Sequence, residues 1–286
     1  LTGERVIWLL NGATRIGTRS LGVIGAEWVL DQAGLEPIQV PQHDLNGDGK
    51  SDLLWENTTT GDRAVWFLDG TGFTSSGSLG NVPAVWRIVG TADFNADGTP
   101  DLVWENATTG EHAVWFMNGT TYIGSAPLGT VPTVWHIAAV ADFNGDTSPD
   151  LVWENTTTGE RAVWFMSGST YIATFNLGVI GTSWRIVGAG DFDRDGSPDI
   201  VWENTTTGER YLWLMDGPDY LESVYLGTAA TQWHIAGAAD YNSDGGPDLL
   251  WENTNTGERG LWLMDGTTFS SWVLLGTTPT AWRLRN

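Results

Sequence analysis

Short apolar runs of about five residues recur along the chain between turns of Gly, Asn, Asp and Thr, and none approaches a membrane span in length. Residues 86–134 show the unit. Trp86-Arg-Ile-Val-Gly leads towards Asp93, and Leu102-Val-Trp-Glu follows an Asp/Asn/Gly loop. The turn Asn106-Ala-Thr-Thr-Gly110 precedes His112-Ala-Val-Trp-Phe-Met, and Asn118-Gly119 turns into a weaker strand at Tyr122-Ile. Even spacing of such runs predicts an all-β protein. The central strands are apolar on both faces, as strands held between neighbouring sheets should be, whereas half-exposed strands would alternate.

This unit repeats. Trp-Glu-Asn begins at Trp55, Trp104, Trp153, Trp202 and Trp251, always 49 residues apart. A second series runs Trp8, Trp66, Trp115, Trp164, Trp213, Trp262, and a third Trp28, Trp86, Trp135, Trp184, Trp233, Trp282. The three series hold 17 of the 18 tryptophans, leaving only Trp272, so a Trp on the period is first of all a structural residue. Four-stranded units stacked radially predict a β-propeller in one domain, residues 1–286. Full repeats span 28–85, 86–134, 135–183, 184–232 and 233–281, the first being nine residues longer. Residues 1–27 read as a third and fourth strand and 282–286 as a first, so the two ends are expected to share a closing blade. That gives about six blade equivalents, with seven in a longer parent chain as the alternative. The closing blade would lack an acidic loop and a Trp-Glu-Asn strand of its own.

Charge adds a second signal. With 13 basic and 35 acidic residues the net charge is -22, which argues against a nucleic-acid partner. Disorder is excluded by 18 Trp, 9 Phe and 6 Tyr. No cysteine is present, so disulfides, thiolate metal sites and cysteine nucleophiles are out. The acids cluster between first and second strands as D-x-[ND]-x-D-G-x-x-D. The copies are Asp44, Asn46, Asp48, Asp52; Asp93, Asn95, Asp97, Asp101; Asp142, Asn144, Asp146, Asp150; Asp191, Asp193, Asp195, Asp199; and Asp240, Asn242, Asp244, Asp248. Alternating oxygens around a Gly turn, with a carbonyl at the seventh position, suit Ca²⁺ better than Mg²⁺. About five Ca²⁺ sites are expected, the third weakened because Thr147 replaces the loop Gly. Halophily would not place acids on a fixed period.

Asp-Phe-Asn-x-Asp-Gly-x-x-Asp-Leu-Val followed by a Trp-rich strand resembles the FG-GAP/VCBS repeat family over nearly the whole chain. The Gly-Ala-Pro element is absent, and Glu-Asn-Thr-Thr-Thr stands there, as in a Trp-rich bacterial branch. The resemblance implies a propeller similar to integrin-α heads and fungal lectins, with calcium at the loop positions. Its members adhere, bind sugars or scaffold enzymes, so it leaves function open.

A second site is expected at the other end of the blades, where Trp86, Trp135, Trp184 and Trp233 precede Arg87, His136, Arg185 and His234. These could form a saccharide platform. Alternatively the Trp pack between blades and each Glu of Trp-Glu-Asn pairs with the Arg of Gly-Glu-Arg. Trp272 is the expected exposed aromatic. The Asn-x-Thr sequons read as turn chemistry, and His112, His136 and His234 as polar substitutes for Arg. No catalytic constellation stands apart from the period, so no enzyme is expected. The leading reading is a secreted or cell-surface, calcium-stabilised, lectin-like or adhesion propeller. Its partners would be glycans or cell-surface or matrix molecules, without membrane insertion. The alternative is a structural or protein-interaction module of a larger protein.

Overall fold

The computed structural model describes residues 4–11, 14–23 and 43–285, and no helix among them is long and apolar enough to cross a membrane. The chain divides into two compact units between Gln39 and Val40. In the first, β1 (Glu4–Asn11) pairs antiparallel with β2 (Thr14–Val23).

The second unit is all antiparallel β. Its earliest strands are β3 (Leu53–Asn57), β4 (Asp62–Asp69) and β5 (Gly72–Asn81). The next sheet is β6 (Trp86–Ala92), β7 (Asp101–Asn106), β8 (Glu111–Asn118) and β9 (Thr121–Thr130). Then come β10 (Trp135–Ala141), β11 (Asp150–Asn155), β12 (Glu160–Ser167) and β13 (Thr170–Val179). The fourth holds β14 (Trp184–Gly190), β15 (Asp199–Asn204), β16 (Glu209–Asp216) and β17 (Asp219–Thr228). The fifth holds β18 (Trp233–Ala239), β19 (Asp248–Asn253), β20 (Glu258–Asp265) and β21 (Thr268–Thr277). Finally β22 (Trp282–Arg285) pairs with β3 and gives the first sheet its inner strand.

The structure is therefore a propeller of five four-stranded blades, which corrects the expectation of six or seven. The ring closes between the C-terminal strand and residues 53–81, and β1 and β2, expected in the closing blade, form a two-stranded sheet of their own. Register explains the closure. Trp282 faces Asn57 and Leu284 faces Trp55, as Trp86 faces Asn106 and Ile88 faces Trp104 in the second blade. With β22 touching both β18 and β6, the ring needs no sixth sheet. The reading of Trp28 as a first strand falls outside the described residues.

The core lies between blades. Each second strand is buried along its length, and apolar clusters join one blade to the next, as Val152 and Val163 join Ile186, Ile200 and Trp202. The Trp-Glu-Asn triplet divides three tasks. Its Trp is buried and stacks at 4.6–4.7 Å on the Trp of the third strand. Its Asn takes two backbone N–H groups of the following turn, as Asn57 does from Thr59 and Thr60, which bears out the turn reading of the sequons.

Its Glu forms a clasp between blades. Glu56, Glu105, Glu154, Glu203 and Glu252 are buried, and each accepts the backbone N–H of the next inner strand (Ile88, Ile137, Ile186, Ile235, Leu284) at 3.1–3.4 Å. Arg63, Arg161, Arg210 and Arg259 of the Gly-(Glu/Asp)-Arg turns pair with four of them at 3.2–3.3 Å. Each of these Arg also donates to the carbonyl of the next blade's first Trp and lies over its second-strand Trp at 5.3–5.6 Å. The pairing of Glu with the turn Arg that one sequence reading expects is thus present at four junctions.

The second blade departs from this pattern. His112 replaces the Arg and stands 3.5 Å from Glu105, with its ring 4.8 Å from Trp153. Neither ring nitrogen makes a hydrogen bond to a described residue. Replacing His112 by Arg should restore the contacts of the other four junctions and stabilise the protein by about 1 kcal/mol. In a thermal melt this corresponds to a rise of about 2–4 °C for a unit of this size.

Candidate functional site

Four of the acidic loops leave the end of an inner strand, all five lead into a second strand, and all fold through the same hydrogen bonds. The first Asp (Asp44, Asp93, Asp142, Asp191, Asp240) accepts the backbone N–H groups four and five residues on, at 2.7–3.2 Å. The third-position side chain (Asn46, Asn95, Asn144, Asp193, Asn242) accepts from the fifth residue at 2.8–3.2 Å. The fifth-position Asp (Asp48, Asp97, Asp146, Asp195, Asp244) accepts from the residue two further on. Such turns require left-handed backbone at the sixth position, where Gly sits in four loops. Thr147 holds that conformation in the third loop, at φ 72°, a strained state for a β-branched residue.

The ninth-position Asp has a separate structural task. Asp52, Asp101, Asp150, Asp199 and Asp248 are buried. One oxygen of each accepts the N–H of the loop's second residue, and the other accepts from the third strand of the same blade (Leu68, Met117, Met166, Met215, Met264). These carboxylates pin loop to blade, and since a carboxylate has about four acceptor positions, two remain on four of them and one on Asp248, which also accepts the Asn242 N–H. Burial pushes Asp52 and Asp199 up to about 7 and Asp101, Asp150 and Asp248 up to about 6, against the opposing pull of the two amides.

Asp191, Asp193 and Asp195 bring one oxygen each within 4.8 Å of one another. Burial and then Asp195 raise the Asp193 carboxyl. Three hard oxygen donors crowded on an exposed turn fit a divalent cation such as Ca²⁺, which neutralises their repulsion. The other four loops carry Asn at the third position, so their neutral carbonyl oxygen takes the place of the middle carboxylate.

The opposite ends of the inner strands carry the second candidate set. Trp86, Trp135, Trp184 and Trp233 are half-buried and pack against the interblade clusters. His136 Nδ1 lies 2.6 Å from Glu105, Arg185 Nε 3.3 Å from Glu154, and His234 Nδ1 2.5 Å from Glu203. Burial favours the neutral Glu105 carboxyl, but His112 and His136 outweigh it and hold that group at about 2. Arg87 is exposed and makes no hydrogen bond or ion pair to a described residue.

Two further members escaped the sequence reading. Arg283 pairs with Glu252 and Arg285 with Glu56, each at 3.2 Å. Arg283 continues the 49-residue series after His234 and could have been found that way, whereas Arg285 stands off the series. Arg87, His136, Arg185, His234 and Arg285 line a cavity of about 510 Å³ along the channel between the inner strands. Trp272 is 40% exposed, as expected of it, and its ring lies over Gly260 and 5.7 Å from Trp233.

The FG-GAP-like repeat family model matches residues 44–104 and 191–251, each stretch running from an acidic loop to a second-strand Trp. No curated protein matches the chain. Among solved structures it is similar to a chain of a nidogen/laminin complex (13% identity, 82% of this chain and 96% of that one, TM-score 0.47). It is also similar to a protein of unknown function from Bacteroides caccae (13%, 82% and 73%, TM-score 0.44) and to the Dos1 propeller (15%, 77% and 54%, TM-score 0.36).

Two substitutions separate the loop's structural parts. Asp150→Ala should strand two buried N–H groups and cost about 2–4 kcal/mol, in EDTA as well as in calcium, as read by denaturant titration. Thr147→Gly should relieve the strained backbone and raise stability by about 1 kcal/mol in the same assay.

Proposed function

We propose that this chain is a structural and protein-interaction propeller whose acidic loops take calcium, about five ions in all. The observation that carries this reading is the equivalence of the five loops. One hydrogen-bond pattern places the same oxygen positions at the same end of every blade, and in one copy three carboxylates converge. The glutamates of Trp-Glu-Asn and four turn arginines are engaged in holding blades together, and this reading assigns the chain no reaction. A rigid ring with a metal-loaded face suits presentation of surfaces to a partner. Millimolar calcium, as outside cells, fills even weak oxygen sites, so a secreted or cell-surface setting accompanies the proposal.

Calcium titration of chelator-treated protein should find about five sites and a rise in melting temperature, each site adding about 2.7 kcal/mol at a hundredfold excess over its Kd. Asp191→Ala should remove one of them. A protein that binds no calcium and melts identically in EDTA overturns the proposal.

Carbohydrate binding is the second reading, favoured by aromatic crevices on two blades. One of about 330 Å³ lies beside Val82, Pro83, Trp86 and Trp115, and one of about 220 Å³ beside Ile180, Trp184, Tyr211 and Trp213. A glycan array in calcium should show binding that Trp184→Ala weakens, and a blank array leaves the interaction module as the reading.

A further inference from the structure

We propose that the Trp-end mouth of the central channel binds a small oxyanion of two or more charges, of the polycarboxylate or phosphate type. The proposal stands apart from the calcium reading and concerns the other end of the ring.

The basic residues of this chain are unevenly placed. Of its 13 Lys and Arg, eight belong to the clasps and the mouth: Arg63, Arg87, Arg161, Arg185, Arg210, Arg259, Arg283 and Arg285. The cavity itself is lined by three of them, Arg87, Arg185 and Arg285, against two glutamates, Glu154 and Glu252, an excess of one positive charge with its histidines neutral, inside a chain of net charge -22. Both carboxylates that line the cavity are already held by two Arg each, Glu154 by Arg161 and Arg185 and Glu252 by Arg259 and Arg283.

The excess has unused donors. Arg185 Nη1 and Arg285 Nε are buried without a hydrogen-bond partner among the described residues, and the Arg87 guanidinium is engaged by none of them. Buried donors left unmade are costly, so Arg185 and Arg285 gain free energy by turning towards an acceptor, while the exposed Arg87 offers an uncommitted charge. All three line the same cavity of about 510 Å³, and they come from the first, second and fourth blades. A single ligand reaching them therefore needs several oxygens directed outwards. Guanidinium forks match planar carboxylate and tetrahedral phosphate oxygens in charge and geometry.

The acidic loops do not cancel this field. They begin at the far ends of seven-residue inner strands, about 23 Å from the mouth, against a Debye length of about 8 Å at physiological salt. Glu111, Glu160, Glu209 and Glu258 begin the third strands, bond to Thr hydroxyls there and are absent from the cavity lining.

The test is calorimetric titration of calcium-saturated protein with benzene-1,3,5-tricarboxylate, and separately with inorganic sulfate and acetate. The tricarboxylate should bind one per chain, more tightly than sulfate, with acetate weaker still. Arg87→Ala should weaken tricarboxylate binding about tenfold, the loss expected for one charge-assisted contact, without lowering the melting temperature. Arg194→Ala, which removes the same charge from an acidic loop, should leave binding unchanged. Absence of tricarboxylate binding overturns the proposal. So does equal loss in both variants, because the effect would then be net charge rather than a site.

Discussion

A buried glutamate at every blade junction is the constraint on which the rest of this propeller depends. Blades otherwise meet through apolar packing, which is non-directional and would tolerate sliding. A carboxylate that must satisfy one backbone amide of the next inner strand and one guanidinium of its own blade tolerates little displacement. Removing it from water costs several kcal/mol, and losing one partner would leave a charge stranded. The arrangement is therefore held less by the energy of each pair than by the penalty for misplacing it. The Arg adds a third point of fixation by reaching the next blade's Trp carbonyl and lying over its indole.

That fixed frame gives the two ends of the ring different characters. At one end the inner strands deliver acidic turns, each tied to its own blade by the ninth-position Asp. The tie uses backbone N–H groups of the loop and of the third strand, so it is made within the protein's own hydrogen bonding. At the other end the basic partners of the clasps collect around the channel. A single repeated sequence, closed on itself, thus separates charge along the propeller axis although every blade is nearly the same.

Much of this was legible in the sequence because period and chemistry coincide. The 49-residue spacing of Trp-Glu-Asn exposed the blades, and the alternation of Asp and Asn exposed the loops. The number of blades was harder, because two incomplete ends competed for the strand that starts at Trp282. A local sign was present. Trp86 precedes Asp93 by seven residues, whereas Trp28 precedes Asp44 by sixteen, too far for the same strand-to-loop step. The ninth Asp was harder still. Its place in a metal-binding pattern concealed its bonds to a strand sixteen residues on, because spacing reveals neighbours in a turn but not partners across a blade. Arg285 was hidden for a related reason. It breaks the repeat, and periodicity reports only what repeats.

Closure by β22 has one further consequence. In four blades an acidic loop joins the inner strand covalently to the second strand of the same sheet, so the two cannot drift apart. Within the first blade β22 meets β3 without a covalent link, through ladder bonds, the packing of Leu284 with Leu53 and Trp55, and the Arg285–Glu56 pair, the one place where a sheet is assembled from both ends of the ring. This is a seam. Thermal opening, hydrogen exchange and proteolysis should all begin there rather than spread evenly around the circle. Joining Arg285 to the start of the ring by a linker, and cutting instead between two other blades, would move the seam without altering a single blade.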